Sequence, residues 1–170
     1  MTKVESIKKL LQSAHKEQII EGLKEFEHNR FTELIPELLH LYERNDNEIN
    51  TIIIFLLTNM KQKNGADVLI QSFKTLPWIE KHPELIRICW ENGLNYSSHL
   101  DFFAELFTRS SYETALEAFT VIEENLEHAQ KHDLEACVKI LKSAETNIST
   151  MLKSLYSELI KLLEQKINSF

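Results

Sequence analysis

The sequence predicts an all-α chain of stacked antiparallel helix pairs that ends in a long C-terminal helix. Three observations carry that expectation. Apolar residues recur three and four positions apart through almost the whole length, the spacing of a helix with one buried stripe. Only three glycines and three prolines occur in 170 residues, too few for the frequent turns of an all-β chain. The chain also repeats itself. At an offset of 65, Leu38, Leu41, Tyr42, Arg44 and Glu48 fall on Phe103, Leu106, Phe107, Arg109 and Glu113. Another copy lies at about half that offset, with Ile70 and Phe73 matching Leu38 and Leu41. The unit is a helix pair of roughly 30–33 residues, repeated at least three times, each pair burying its apolar face against its neighbours.

The elements follow in order. Val4, Ile7, Leu10 and Leu11 predict a helix over about 3–14, and Ile19, Ile20, Leu23 and Phe26 one over about 16–28. A third, about 32–44, holds Pro36 in its first turn, where a missing donor costs little. The fourth, about 46–62, contains "TIIIFLL". Its flanks continue the helical spacing, so it reads as a helix buried on most of its circumference. Further helices are expected at about 65–75, 83–92, 98–109 and 111–128, with a last long one from about 131. Repeats over residues 1–130 and the terminal helix over 131–170 are the expected domains.

The stretch "RICWENGLNYSSHLDFF", Arg87–Phe103, gathers many reactive residue types, but its spacing reads as helix punctuation. Asn92-Gly93 suits a left-handed helix end. Ser98 with Asp101, and Ser110 with Glu113 one helix later, read as capping pairs. "KNGAD", Lys63–Asp67, reads as a second ending of the same kind, and Cys89 and Trp90 fall on the buried stripe.

Paired helices whose second member is strongly apolar, and linkers such as "ERNDNEI" and "TRSSYETALEAFTVIEEN", resemble HEAT/armadillo-type solenoids. "CWENGLNYSSHLDFFAELF" followed by "YETALEAFTVIEEN" is similar to small bacterial HEAT-like proteins of unassigned function. The resemblance covers about residues 30–130. It implies partner binding on a curved surface and brings no catalytic residue with it.

Net charge is −7, and the excess is concentrated. Residues 65–130 carry eleven Asp/Glu against four Lys/Arg. Such a middle repels a duplex, whose binding needs a basic face. The longest apolar run, Ile52–Leu57, is six residues, far short of the ~20 of a membrane span. No leader-like segment opens the chain. Cys89 and Cys137 lie in apolar helical patterns and read as reduced, buried thiols, so a cytoplasmic setting is expected.

Gly22, Gly65 and Gly93 are isolated, so no phosphate loop exists, and zinc-protease and paired-CxxC signatures are absent. No cofactor is expected. His128 and His132, with Glu124, could hold zinc only if one helix ran through them, and a break is expected near Gln130. Trp78, in the insertion "LPWIEKHP", is either a partner-binding anchor or a plug for the gap its insertion makes. Glu105, Glu113, Glu117 and Glu124, with Glu123 and Glu127, either steer a basic partner or form a solvated helical face.

In the last helix Leu134, Leu141, Ile148, Leu155 and Leu162 recur at sevens, a coiled-coil seam. Unbroken, it would reach ~54 Å, against ~27 Å for the helix before it. The excess either folds back near Thr146–Ser149 as a cap or pairs with another chain, and Leu152, Leu155, Leu159 and Leu162 are the residues for self-association as a homodimer. The functional expectation is a non-enzymatic interaction scaffold for a protein or peptide, a basic one if the acidic face works. The alternatives are a HEAT-like DNA glycosylase, or a small-ligand carrier with a pocket near Trp90 and Phe103.

Overall fold

The computed structural model describes residues 1–170, and every regular element is helical. There are ten α-helices: α1 (Lys3–Leu11), α2 (Lys16–Asn29), α3 (Ile35–Tyr42), α4 (Asn47–Thr58), α5 (Gly65–Lys74), α6 (Pro83–Glu91), α7 (Leu100–Arg109), α8 (Tyr112–Asn125), α9 (Lys131–Ser143) and α10 (Lys153–Asn168). No helix is long and apolar enough to cross a membrane. The chain divides into two compact units, Met1–Thr75 and Leu76–Phe170. The division falls between α5 and α6.

In the first unit α1 packs on α2 and α3, α2 on α4, and α3 on α4 and α5. Thr2 and Glu5 close a reciprocal capping box at the start of α1. Gly22 lets α1 and α2 approach closely: a Cβ there would lie 3.0 Å from Leu10 Cβ. Asp46 caps α4 by accepting from the backbone N–H groups of Glu48 (3.0 Å) and Ile49 (3.1 Å). Ile35, Leu38, Ile53, Leu57, Leu69 and Phe73 are fully buried, each such side chain stabilising the fold by about 1.5–3 kcal/mol. Polar ties secure the edges. Glu37 of α3 meets Lys8 Nζ (2.7 Å) on α1, and Lys16 Nζ of α2 meets Asp46 (2.9 Å) and Glu48 (2.8 Å).

In the second unit α6 packs on α8, α7 on α8 and α9, α8 on α10, and α9 on α10. Its core includes Tyr96, Phe103, Phe107, Val121, Leu134 and Leu159. In both units, therefore, the first helices of adjoining pairs meet each other, as do the second helices.

The internal repeat reappears in the element boundaries. Ile35 and Leu100 open α3 and α7, and Asn47 and Tyr112 open α4 and α8, each 65 positions apart. The short 3₁₀ turns that lead into α3 (Thr32–Leu34) and α7 (Ser97–His99) keep the same offset. Equivalent arginines make equivalent contacts. Arg44 Nη1 donates to Ser13 O (2.8 Å) in the α1–α2 connection, and Arg109 Nε reaches Glu80 (3.2 Å) in the connection before α6.

Several local expectations are corrected. The long terminal helix is two, interrupted by 3₁₀ turns at Glu145–Asn147 and Thr150–Leu152. The break changes the phase of the seam. Leu134 and Leu141 are buried on α9, but α10 buries Tyr156, Leu159 and Leu163. "KNGAD" ends no helix: α4 stops at Thr58 and Gly65 is the first residue of α5. The left-handed positions are Arg30, Asn45 and Gly93 (φ +70°), so only the Asn92-Gly93 ending has the expected form. Ser98 and Ser110 cap nothing, because α7 is entered from the 3₁₀ turn and α8 starts after Ser111, whose side chain makes no cap bond.

Candidate partner-binding face

The most distinctive polar arrangement joins α6 to α8. Arg87 and Trp90 are three apart and share a face of α6. Both reach Glu117 of α8, a carboxylate only 9% exposed. Arg87 donates to Glu117 Oε1 from Nε (3.0 Å) and Nη2 (2.8 Å), while Trp90 Nε1 donates to Oε2 (2.7 Å). Both carboxylate oxygens are thereby satisfied, which a nearly buried charge requires. Glu117 is thus a tether inside the unit, and its expected place on a solvated or steering face is corrected. Trp90 also departs from expectation. Cys89 takes the buried position at 1% exposure, and Trp90, one step round the helix, stands 36% exposed at the margin.

Beside Trp90 lies a cavity of about 230 Å³, lined among others by Gly93, Asn95, Glu124, Asn125 and His128. Asn125, which lines it, belongs to a chain of buried amides and a phenol. Asn92 Nδ2 donates to Tyr96 Oη (2.8 Å), Tyr96 N to Asn125 Oδ1 (2.8 Å), and Asn125 Nδ2 to Val121 O (2.8 Å). Asn92 Oδ1 accepts from Leu94 N (3.0 Å), holding the turn after α6. Burial pushes the thiol of Cys89 and the phenol of Tyr96 well above their ordinary values, and pushes Cys137 up to about 12. Neutral, enclosed groups of this kind hold structure and are poor nucleophiles.

The remaining candidates disperse. Glu105 is exposed on α7, Glu113 is exposed in the first turn of α8, and Glu124 is exposed in its last turn, at the cavity. Trp78 is half-buried, its ring edge-on to His82 at 5.1 Å between centroids. The helix breaks between His128 and His132: Ala129 is extended, Gln130 caps α9, and His132 Nε2 lies 3.2 Å from Asp133. No three His, Cys, Asp or Glu side chains come together where they could hold a metal ion. Of the self-association residues, Leu152 (2%) and Leu159 (0%) are buried inside the chain, while Leu155 and Leu162 are half-buried.

One surface has no counterpart among the expected sites. Between α2 and α4 an open groove of about 400 Å³ is lined by Ile20, Leu23, Ile52 and Phe55, with Lys24 and Glu27 at its edge. Phe55 is 55% exposed, inside a helix expected to be buried nearly all round. Compared with family models, with curated proteins and with solved structures, the chain matches none.

Proposed function

We propose that this chain is a non-enzymatic interaction module of the HEAT-like helical-repeat kind, and that it binds a basic protein or peptide segment on the face made by α6 and α8. The repeat reading is supported by the 65-residue offset shared by two helix pairs and by the like-on-like packing within each unit. The binding reading rests on one observation, the composition of this face. The two helices contribute six glutamates and a single arginine, and that arginine is committed to Glu117. Glu113 and Glu124 are exposed on α8, on either side of the buried Glu117, and Glu84 and Glu91 flank Arg87 on α6. Within this acidic field Trp90 (36%) and Leu116 (38%) stay exposed. An apolar anchor inside a field of one sign suits an amphipathic cationic segment. Two buried free thiols fit a reducing, cytoplasmic setting.

Selection from a random 12-residue peptide library on the immobilised protein tests this. Enrichment of Lys/Arg around apolar residues, lost when Leu116→Lys is the bait, supports it. An unbiased selection, or salt-sensitive binding of duplex DNA, contradicts it.

A further inference from the structure

We propose that the cavity beside Trp90 is a pocket for one guanidinium group, the side chain of an arginine in the bound segment. This rests on the α6–α8 face being the working surface and goes further, because it assigns the chemistry of one subsite. Four features converge on that occupant. Trp90 forms one wall, and its indole is locked by the bond to Glu117 (2.7 Å), so the ring is presented without reorganisation. Glu124 forms another part of the wall, is exposed, and makes no ion pair within the chain. An aromatic ring and an uncompensated carboxylate around one cavity are the two halves of a guanidinium site, one stacking and the other accepting paired N–H donors. Gly93, which also lines the cavity, presents only backbone there, and a Cβ at this position would have nothing within 4 Å. Finally, Asn125 in the lining is 3% exposed with both ends of its amide already bonded, so it adds no competing charge. Arg87, the one cation on these two helices, cannot fill the site because Glu117 holds it at 2.8 Å.

The probe is N-acetyl-arginine amide, titrated into ¹⁵N-labelled full-length protein while the two indole N–H signals are followed. Trp78→Phe identifies the Trp90 signal. The expected result is a saturable shift of the Trp90 signal, no shift with the neutral isostere N-acetyl-citrulline amide, and about tenfold weaker binding by Glu124→Gln, the loss of one charge-assisted contact. Equal binding of the arginine and citrulline probes, or a Glu124→Gln protein that binds as well as the wild type, overturns the pocket. So does the absence of any Trp90 shift. Because the probe carries no anchor for Leu116, the pocket and the wider face fail separately. Peptide binding that survives Glu124→Gln but not Leu116→Lys leaves the face and removes the pocket. Probe binding without peptide selection does the reverse.

Discussion

Trp90 donates its indole N–H to Glu117 across 2.7 Å, and the same carboxylate takes two bonds from Arg87. One buried acid thus fixes the angle at which an exposed aromatic ring stands out of the second unit. Removing the acid leaves a donor without its partner and a gap between α6 and α8. Glu117→Ala should lower the unfolding free energy by about 1–3 kcal/mol and Glu117→Gln by less. Arg87 is half-exposed, so the Arg87–Glu117 coupling in a double-mutant cycle should be only about 0.5–1 kcal/mol. Urea denaturation checks both, and a neutral Glu117→Ala would contradict the tether.

The backbone after α6 supplies a second expectation. Gly93 sits at φ +70° with open space where a Cβ would go. Gly93→Ala therefore meets no clash and bears only the left-handed backbone cost, about 1–2 kcal/mol. Gly93→Asn should cost less, since asparagine tolerates that region. Equal losses for the two variants, read from urea midpoints, would show that contacts rather than backbone set the cost.

Thiol chemistry gives a third. Burial raises both Cys89 and Cys137, the latter to about 12, so neither is a thiolate at pH 8. A chromogenic disulfide reagent should leave the native protein unlabelled over minutes and label both cysteines at once in denaturant. Rapid labelling of the folded chain would contradict their burial.

Acid stability gives a fourth. The hydrogen bond from Lys3 holds Glu25 below its ordinary value, and the one from Lys16, with the Ile49 N–H, does so for Asp46. For Glu37 burial pushes upward, but the bonds from Lys8 and Gln12 outweigh it and the net shift is down. A carboxylate depressed in the folded state contributes stability in full above its unfolded value and loses it as pH falls through the folded one. All three lie in the first unit, so the stability of Met1–Thr75 should decline below about pH 4.5 and not above it. Urea midpoints at pH 7, 5 and 3.5 check the window, and Lys8→Ala should flatten part of the fall.

The helices are legible in the sequence because their evidence is local. The three-and-four spacing and the 65-residue offset place the starts of most helices within a residue or two, and Pro36 sits in the first turn of α3 as expected. What escapes the sequence is set by contacts distant along the chain. Asn92 reads only as part of a helix ending and Asn125 only as a position within the helix over about 111–128, and the bond from Tyr96 N to Asn125 spans 29 positions and leaves no local signature. Glu117 reads as one more surface acid until Arg87, 30 positions earlier, is seen to face it. Phe55 lies within an unbroken apolar run, Ile52–Leu57, so although Glu48 and Thr51 mark the outer face of α4 one turn earlier, nothing polar carries that face through Phe55. The α9–α10 break is partly legible: the excess length of the terminal segment points to a fold-back near Thr146–Ser149, but Ile148, at the centre of the turn, is itself buried and keeps the seven-residue rhythm going, so spacing alone leaves a continuous seam open as well.

That rhythm can be tested directly. Leu159 is fully buried, so Leu159→Ala should cost about 2–5 kcal/mol. Leu162→Ala, at a half-buried position, should cost clearly less. A seam used between chains would instead change the molar mass by light scattering in both variants.

Binding of cationic segments by the α6–α8 face is measured by calorimetric titration with an amphipathic arginine-rich peptide. The wild-type chain is compared with the folded charge-reversal variant Glu91→Lys/Glu113→Lys/Glu124→Lys at low and high salt. The wild type should bind saturably and more weakly as salt rises, and the variant at least about tenfold more weakly. Equal affinity of the two proteins, or no binding by either, would contradict cationic binding by this face.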